Sequence, residues 1–350
     1  MPTASRTVDL RSDSVTRATP AMRQAMAEAL VGDDGREGDP TAQRLERLAA
    51  DLMGKEAALF CTSGTMANLL AMLVHIVPGE EVMAEREAHL LRFESGGLCV
   101  IAGAVPRPLA GVAGRMDLEQ LEAEIQAGSR YRPRTALIEL ENTHNAAGGT
   151  VFEAAYMRRV GEIAHAHGAR VHVDGERIFN AAVALGVPAK DLVTECDTVM
   201  FGLSKGLCAP YGSMLCGPAE LIARARSLRQ RVGGGIRQIG HMAAAGIVAL
   251  ETMVDRLGED HANARRLAEG IAALRPDLVN LEVVQTNIVI LRTSPLGKLG
   301  AEVATALQEA GILCAATDAR VVRFVTHHDV TTDDIDYALA VMRPVLLSAG

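Results

Sequence analysis

The sequence has no tryptophan, and aromatic residues make up only 3% of its 350 positions, too few to build stacking platforms for bases or sugars. Positive charge is also in deficit: 35 basic residues face 43 acidic ones, a formal net charge of −8. That balance argues against a nucleic-acid partner, whose footprint is a basic patch or stripe. Long apolar runs are missing too. The longest low-charge stretches, such as residues 243–250, fall well short of the roughly 18 apolar residues a spanning helix needs, so no membrane partner is expected. The amino-terminal residues run into Asp9 and Arg11 without an apolar core, unlike a secretory signal. The six cysteines, Cys61, Cys99, Cys196, Cys208, Cys216 and Cys314, lie far apart with no Cys-x-x-Cys pair. Reduced thiols in a cytoplasmic protein are therefore expected, and no metal-ligand spacing is visible, so no catalytic metal is expected.

What is present is an ordinary globular composition, 49% hydrophobic and 22% charged, long enough for about two domains. From Thr19 onward, segments with a helical apolar period alternate with short runs rich in Val, Ile and Leu, the mark of an α/β layer architecture. Strands are expected at 57–61, 81–84, 135–140, 170–173 and 198–201, with helices at 65–76, 117–126 and 153–167 between them. Strands separated by helices imply a mainly parallel sheet with helices on both faces, and ligands then sit at the carboxyl ends of the strands. After a helical stretch from 237 to 257 the pattern restarts: helix 260–274, strands 281–284 and 287–291, helix 301–310, strand 321–325 and helix 332–347. This predicts a large domain over 1–257, amino-terminal segment included, and a smaller α/β domain over 258–350.

Four junctions carry residues suited to chemistry. Ser63-Gly64-Thr65 follows a strand and opens a helix; unpaired N–H groups and a hydroxyl there suit an anion such as phosphate, or else form only a capped glycine turn. Asp174 ends the run Val171-His172-Val173, with Arg177 three residues on; the acid is placed to hold a heterocyclic nitrogen protonated, or else the two form a structural ion pair. Lys205 lies just beyond the 198–201 strand, where a desolvated amine becomes a nucleophile and a solvated one merely caps the strand. Gly233-Gly234-Gly235-Ile236-Arg237 lacks the spacing and context of a dinucleotide fingerprint, which excludes NAD as the expected cofactor.

A phosphate turn, then a strand-end Asp, then a strand-end Lys 31 residues later is the order found in fold-type-I pyridoxal-phosphate enzymes. The sequence resembles the low-specificity L-threonine aldolases of the β-eliminating lyase family over nearly its whole length. The matching motifs are Asp9-Leu10-Arg11-Ser12-Asp13, Val31-Gly32-Asp33-Asp34, Glu141-Asn142-Thr143-His144-Asn145, Val173-Asp174-Gly175, Leu203-Ser204-Lys205-Gly206-Leu207, residues 233–238 and Val322-Arg323-Phe324-Val325-Thr326-His327. The resemblance implies pyridoxal 5'-phosphate bound covalently to Lys205, with Asp174 on the ring nitrogen. It puts His89 over the ring face, Arg177 beside the cofactor, and Gly64, Thr65 and Arg237 on the phosphate, Arg237 reaching across a subunit interface. It also implies Ser12, Arg177 and Arg323 on the substrate carboxylate, and His89 and His144 flanking a β-hydroxyl. The implied reaction is retro-aldol cleavage of β-hydroxy-α-amino acids to glycine and an aldehyde, and the implied assembly is a homotetramer, a dimer of dimers. β-Elimination from a β-substituted amino acid is the alternative chemistry. A non-catalytic sensor is disfavoured, because a binder has no use for an imine-forming amine beside an electron sink.

Three positions depart from the family pattern. Arg36 stands where a tyrosine is usual, Gln230 where many relatives carry lysine, and Glu176 where alanine is usual. Arg36 and Glu176 are expected to pair with each other or with solvent; alternatively Arg36 meets a polar or anionic β-substituent and shifts preference toward such substrates.

Overall fold

A computed structural model describes residues 6–347. Its centre is a seven-stranded sheet in the order Ala57–Cys61, Ser213–Gly217, Thr198–Gly202, Arg170–Asp174, Thr135–Glu141, Glu81–Glu85, Val105–Leu109. Six strands run parallel and Ser213–Gly217 runs antiparallel to both neighbours. The expected α/β architecture, a mainly parallel sheet covered on both faces, is therefore present. Alternate residues of each strand enter separate cores: Ala58 and Phe60 pack on one face, Leu59 and Cys61 on the other. The second face is covered by the helix Gly64–His75, and His172 and Asp174 point toward it, because Val171 and Val173 fill the first.

The carboxyl-terminal part builds a three-stranded antiparallel sheet, Ile288–Arg292, Val321–Val325 and Ala315–Asp318, packed by the helices Leu257–Leu274, Gly300–Glu309 and Thr332–Leu347. Val8–Asp9 pairs in parallel with Ile312–Leu313, and Val8 and Leu10 are buried in this second core. The amino-terminal segment thus packs with the carboxyl-terminal unit, although sequence order groups it with the large one. Residues 281–284, expected as a strand, instead form the 3-10 turn Leu281–Val283, because the Asn280 side chain accepts the Glu282 N–H and closes the backbone locally. No helix among the described residues is long and apolar enough to cross a membrane.

Candidate active site

Parallel strands all end on one edge, so the segments that follow them converge. After Ala57–Cys61 the helix Gly64–His75 begins, its first turn capped by the Ser63 hydroxyl on the Met66 N–H. Glu81–Glu85 leads to His89, Thr135–Glu141 to Asn145, Arg170–Asp174 to Glu176 and Arg177, and Thr198–Gly202 to Lys205. A cavity of about 320 Å³ is lined by Ser63, Gly64, Thr65, Asn68, His89, Glu94, Asp174, Glu176, Arg177 and Lys205, among others. A second, of about 550 Å³, shares His89, Asn145, Arg177 and Lys205 with it and extends to Ser12, Phe93, Ile290, Val321 and Arg323. The expected residues Ser12, Gly64, Thr65, His89, Asp174, Arg177, Lys205 and Arg323 are thus gathered in one continuous cleft between the two sheets.

Two of the arginines do different work. Arg177 is buried and sends Nε and Nη2 to the two oxygens of Asp13, both at 2.7 Å, while Asn287 donates to Asp13 at 3.1 Å. Burial penalises the Asp13 charge, yet the guanidinium outweighs that and holds its carboxyl well below the usual range. Arg323 donates through Nη1 to Asn145 Oδ1 at 2.8 Å, and its buried Nε has no protein partner. The Nε–Nη2 edge, the fork that grips a carboxylate, is thus unpartnered at Nε. Ser12 Oγ accepts from the Ser14 N–H and Oγ–H, which leaves the Ser12 proton free to donate.

His89 Nδ1 lies 3.1 Å from Glu94 Oε1. Burial acts against protonation of this ring, but the Glu94 bond and the nearby Asp174 and Glu141 carboxylates raise its pKa overall. Lys205 Nζ lies 3.5 Å from Glu176 Oε1. Burial raises the Glu176 pKa, with Lys205 opposing. Glu176 therefore pairs with Lys205 and not with Arg36, which is exposed beside Asp33 at 3.6 Å.

The remaining expected residues lie outside this cleft. His144 was placed beside the substrate hydroxyl, but its ring is buried and lines neither cavity. The backbone of Gly114 lies directly over it, so close that a Cβ there would be 2.4 Å from the ring, and its Nε2 is 3.2 Å from Glu85. Arg237 and Arg36 line a different cavity, of about 500 Å³, with Asp33, Asp34, Arg226, Arg229 and Gln230, so neither reaches the cleft of its own chain. The fold also assembles a cluster that spacing does not reveal: His89, Glu94 and Asp174 bring ligand atoms within 4.8 Å of one another. Asn68 already donates to both carboxylates, at 2.7 and 2.8 Å, so the group is an internally hydrogen-bonded one.

Asp13, Asn68 and Glu94 are site residues that sequence reasoning passed over, and Glu139, inside the strand Thr135–Glu141, is a further buried acid it did not single out. Glu139 is buried with both oxygens unpartnered; burial, then Asp174 and Glu141, raise its pKa well above the usual carboxylate range. A polar Asn68 inside the apolar run of its helix was the one visible signal.

The residues fit pyridoxal phosphate. A helix amino terminus offers N–H groups to the phosphate beside Gly64, where a Cβ would intrude, 2.5 Å from Glu176 Oε2. Asp174 would meet the ring nitrogen, His89 the ring face and Lys205 the aldehyde, all three lining the same cavity. Fold and site together define a pyridoxal-phosphate-dependent lyase of the α/β kind. The sequence profile of the β-eliminating lyases matches residues 9–294, and the chain belongs to that family. It is 45% identical to low-specificity L-threonine aldolase 1 of Arabidopsis thaliana over 348 residues, covering 98% of this chain and 97% of that one. It is 41% identical to the low specificity L-threonine aldolase of Escherichia coli K12, covering 97% and 99%. The threonine aldolase structure of Leishmania major shares the fold, with a TM-score of 0.81 at 18% identity, covering 97% of this chain and 99% of that one.

Proposed function

We propose that the protein is a pyridoxal-phosphate-dependent aldolase that cleaves β-hydroxy-α-amino acids, L-threonine and L-allo-threonine among them, to glycine and an aldehyde. The observation that carries this reading is the convergence of Lys205, Asp174, His89 and the Nε–Nη2 edge of Arg323 on one cleft. When bound, the cofactor supplies an electron sink for the substrate α-carbon. Lys205 holds it covalently, Asp174 takes the ring nitrogen, and the amino terminus of Gly64–His75 takes the phosphate. Arg323, assisted by Ser12, grips the substrate carboxylate and so fixes which α-carbon bond lies across the ring. Asp13 occupies the Nε–Nη2 fork of Arg177, which leaves Nη1 as its donor toward the cofactor and the substrate carboxylate. Because Nδ1 of His89 bonds Glu94, Nε2 is the nitrogen left to take the β-hydroxyl proton as the Cα–Cβ bond breaks. Glu85 and Glu141 hold His144 and the Asn145 backbone in place behind this wall.

The reading extends to assembly, domains and compartment. Arg237, outside the cleft of its own chain, completes the phosphate site of a second copy in this reading, in a dimer of dimers. Exposed Val77, Val100, Ile101 and Val105 lie together at the opposite, amino-terminal end of the parallel strands, where the Gly79–Gly103 and Val105–Glu80 hydrogen bonds join their segments, and support a second contact between copies. The division near 257/258 separates the two sheets, with the amino-terminal segment strapped onto the smaller unit. The six cysteines are free, which supports a reducing cytoplasmic setting. Borohydride treatment of the loaded protein followed by peptide mapping tests the anchor: the pyridoxyl label is expected on Lys205 and absent from Lys205→Ala, and a label spread over other lysines refutes it.

A further inference from the structure

Behind Asp174, on the face covered by the helix Gly64–His75, a line of buried polar groups runs away from the cleft. Asn68 Nδ2 is 2.8 Å from Asp174 Oδ2 and 2.7 Å from Glu94 Oε1. His172 Nε2 is 3.0 Å from Asn68 Oδ1, His172 Nδ1 is 2.9 Å from Thr198 Oγ1, and His75 Nε2 is 2.8 Å from the same hydroxyl. The catalytic account above uses none of Asn68, His172, Thr198 or His75.

The direction of every bond follows from donor counting. Two carboxylate oxygens face the Asn68 nitrogen, so it is the NH₂ and spends both hydrogens on them. The Asn68 oxygen is then an acceptor, and His172 must carry its proton on Nε2. Burial keeps His172 neutral, its pKa pushed down to about 3, so its Nδ1 is bare and accepts the Thr198 O–H. The Thr198 oxygen is left to accept, and His75 must donate from Nε2. Apart from the Asn68 hydrogen given to Glu94, all hydrogens therefore point one way, inward to Asp174.

We propose that Asn68 and His172, ordered by Thr198 and His75, are positioning residues that form a one-way hydrogen-bond relay fixing the orientation of the Asp174 carboxylate for the cofactor ring nitrogen. The proposal rests on the functional reading for its consequence, not for its geometry. Asp174 lies at the last position of its strand, where its carboxylate is oriented by its own hydrogen bonds. Its Oδ1 is held by the Glu176 N–H at 3.1 Å and its Oδ2 by Asn68. Without Asn68, or with Asn68 free to rotate its amide, one of these two restraints is lost.

Two measurements test it. Histidine-¹⁵N-labelled, cofactor-free protein at neutral pH, with resonances assigned through His75→Gln and His172→Gln, should show both rings as neutral Nε2–H tautomers. An Nδ1–H tautomer or an imidazolium at His172 overturns the relay, whatever reaction the protein catalyses. In the second, pyridoxal phosphate is titrated into variants and followed by its visible absorption. Glutamine at 172 can donate to Asn68 and accept from Thr198, whereas leucine fills the space without either bond. His172→Leu should weaken cofactor binding by about tenfold, the worth of one hydrogen bond to a charged group, and alter the bound cofactor's spectrum, while His172→Gln stays within about threefold, since its bonds are retained. Equal behaviour of the two variants would show that His172 only packs. Loss of aldol cleavage in the wild type with the tautomers as described would sink the functional reading and leave the relay standing.

Discussion

The contrast between the two cleft arginines makes a quantitative prediction. Arg323 presents an Nε–Nη2 edge with a buried, unpartnered Nε, and the substrate carboxylate can satisfy it with two charge-assisted hydrogen bonds. Each is worth about 1.5–3 kcal/mol, so Arg323→Ala should cost roughly 3–6 kcal/mol of transition-state binding, or about 10²- to 10⁴-fold in kcat/KM. Arg323→Lys keeps the charge but not the fork, and should recover only part of that loss. Thermal stability should change little, because Arg323 makes a single side-chain bond, to Asn145. Arg177→Ala should behave differently: it strands Asp13, 0% exposed, as an unpaired buried charge and should cost about 3–5 kcal/mol of folding stability. The assay is steady-state cleavage of L-threonine alongside thermal unfolding of each variant. Activity of Arg323→Ala within about fivefold of wild type, or a stability loss matching that of Arg177→Ala, would refute the division of labour, since fivefold is only about 1 kcal/mol.

Two further outcomes follow from burial and packing. His261 is half-buried, accepts from Asn180 at 3.1 Å, and has its pKa lowered by desolvation to about 4. The unfolded chain binds a proton there that the folded chain refuses between pH 6.5 and 4, so stability falls as pH drops through that window; from pH 7 to 5 the loss is about 2 kcal/mol. His261→Gln should lose that much less across the same interval in urea unfolding, and an unchanged loss would count against the assignment. Gly64→Ala places a methyl near the flexible end of Glu176 and 3.0 Å from Met200 Cε. The fold should tolerate it, while pyridoxal-phosphate affinity falls on the order of tenfold because the methyl crowds the phosphate cradle; wild-type affinity would refute that placement of the phosphate.

Much of the frame was legible because its signals are local. The runs 57–61 and 321–325 became strands with those bounds, and 332–347 the helix expected. Val105–Leu109 escaped because its two prolines argue against a strand; it lies at the sheet edge, where a missing N–H costs no ladder bond. Ser213–Gly217 escaped because it returns antiparallel after a loop, without the helix that marks its neighbours. In the site, Lys205 and Asp174 were readable as strand-end residues. The burial of the His144 ring was not readable, because motif membership fixes where the backbone goes but not which side of the wall the ring occupies; the ring packs against Gly114, 30 residues earlier. Asp13, Asn68 and Glu94 act through partners on other strands and helices, and such pairings exist only once the sheet has brought the segments together.

The most direct test of the account is a product analysis. Purified protein loaded with pyridoxal phosphate is incubated with L-threonine and L-allo-threonine, and glycine, acetaldehyde, 2-oxobutyrate and ammonia are quantified together. Glycine and acetaldehyde in equal amounts, both absent with Lys205→Ala, are the expected result. 2-Oxobutyrate with ammonia, or no turnover of either substrate by the loaded protein, would contradict it.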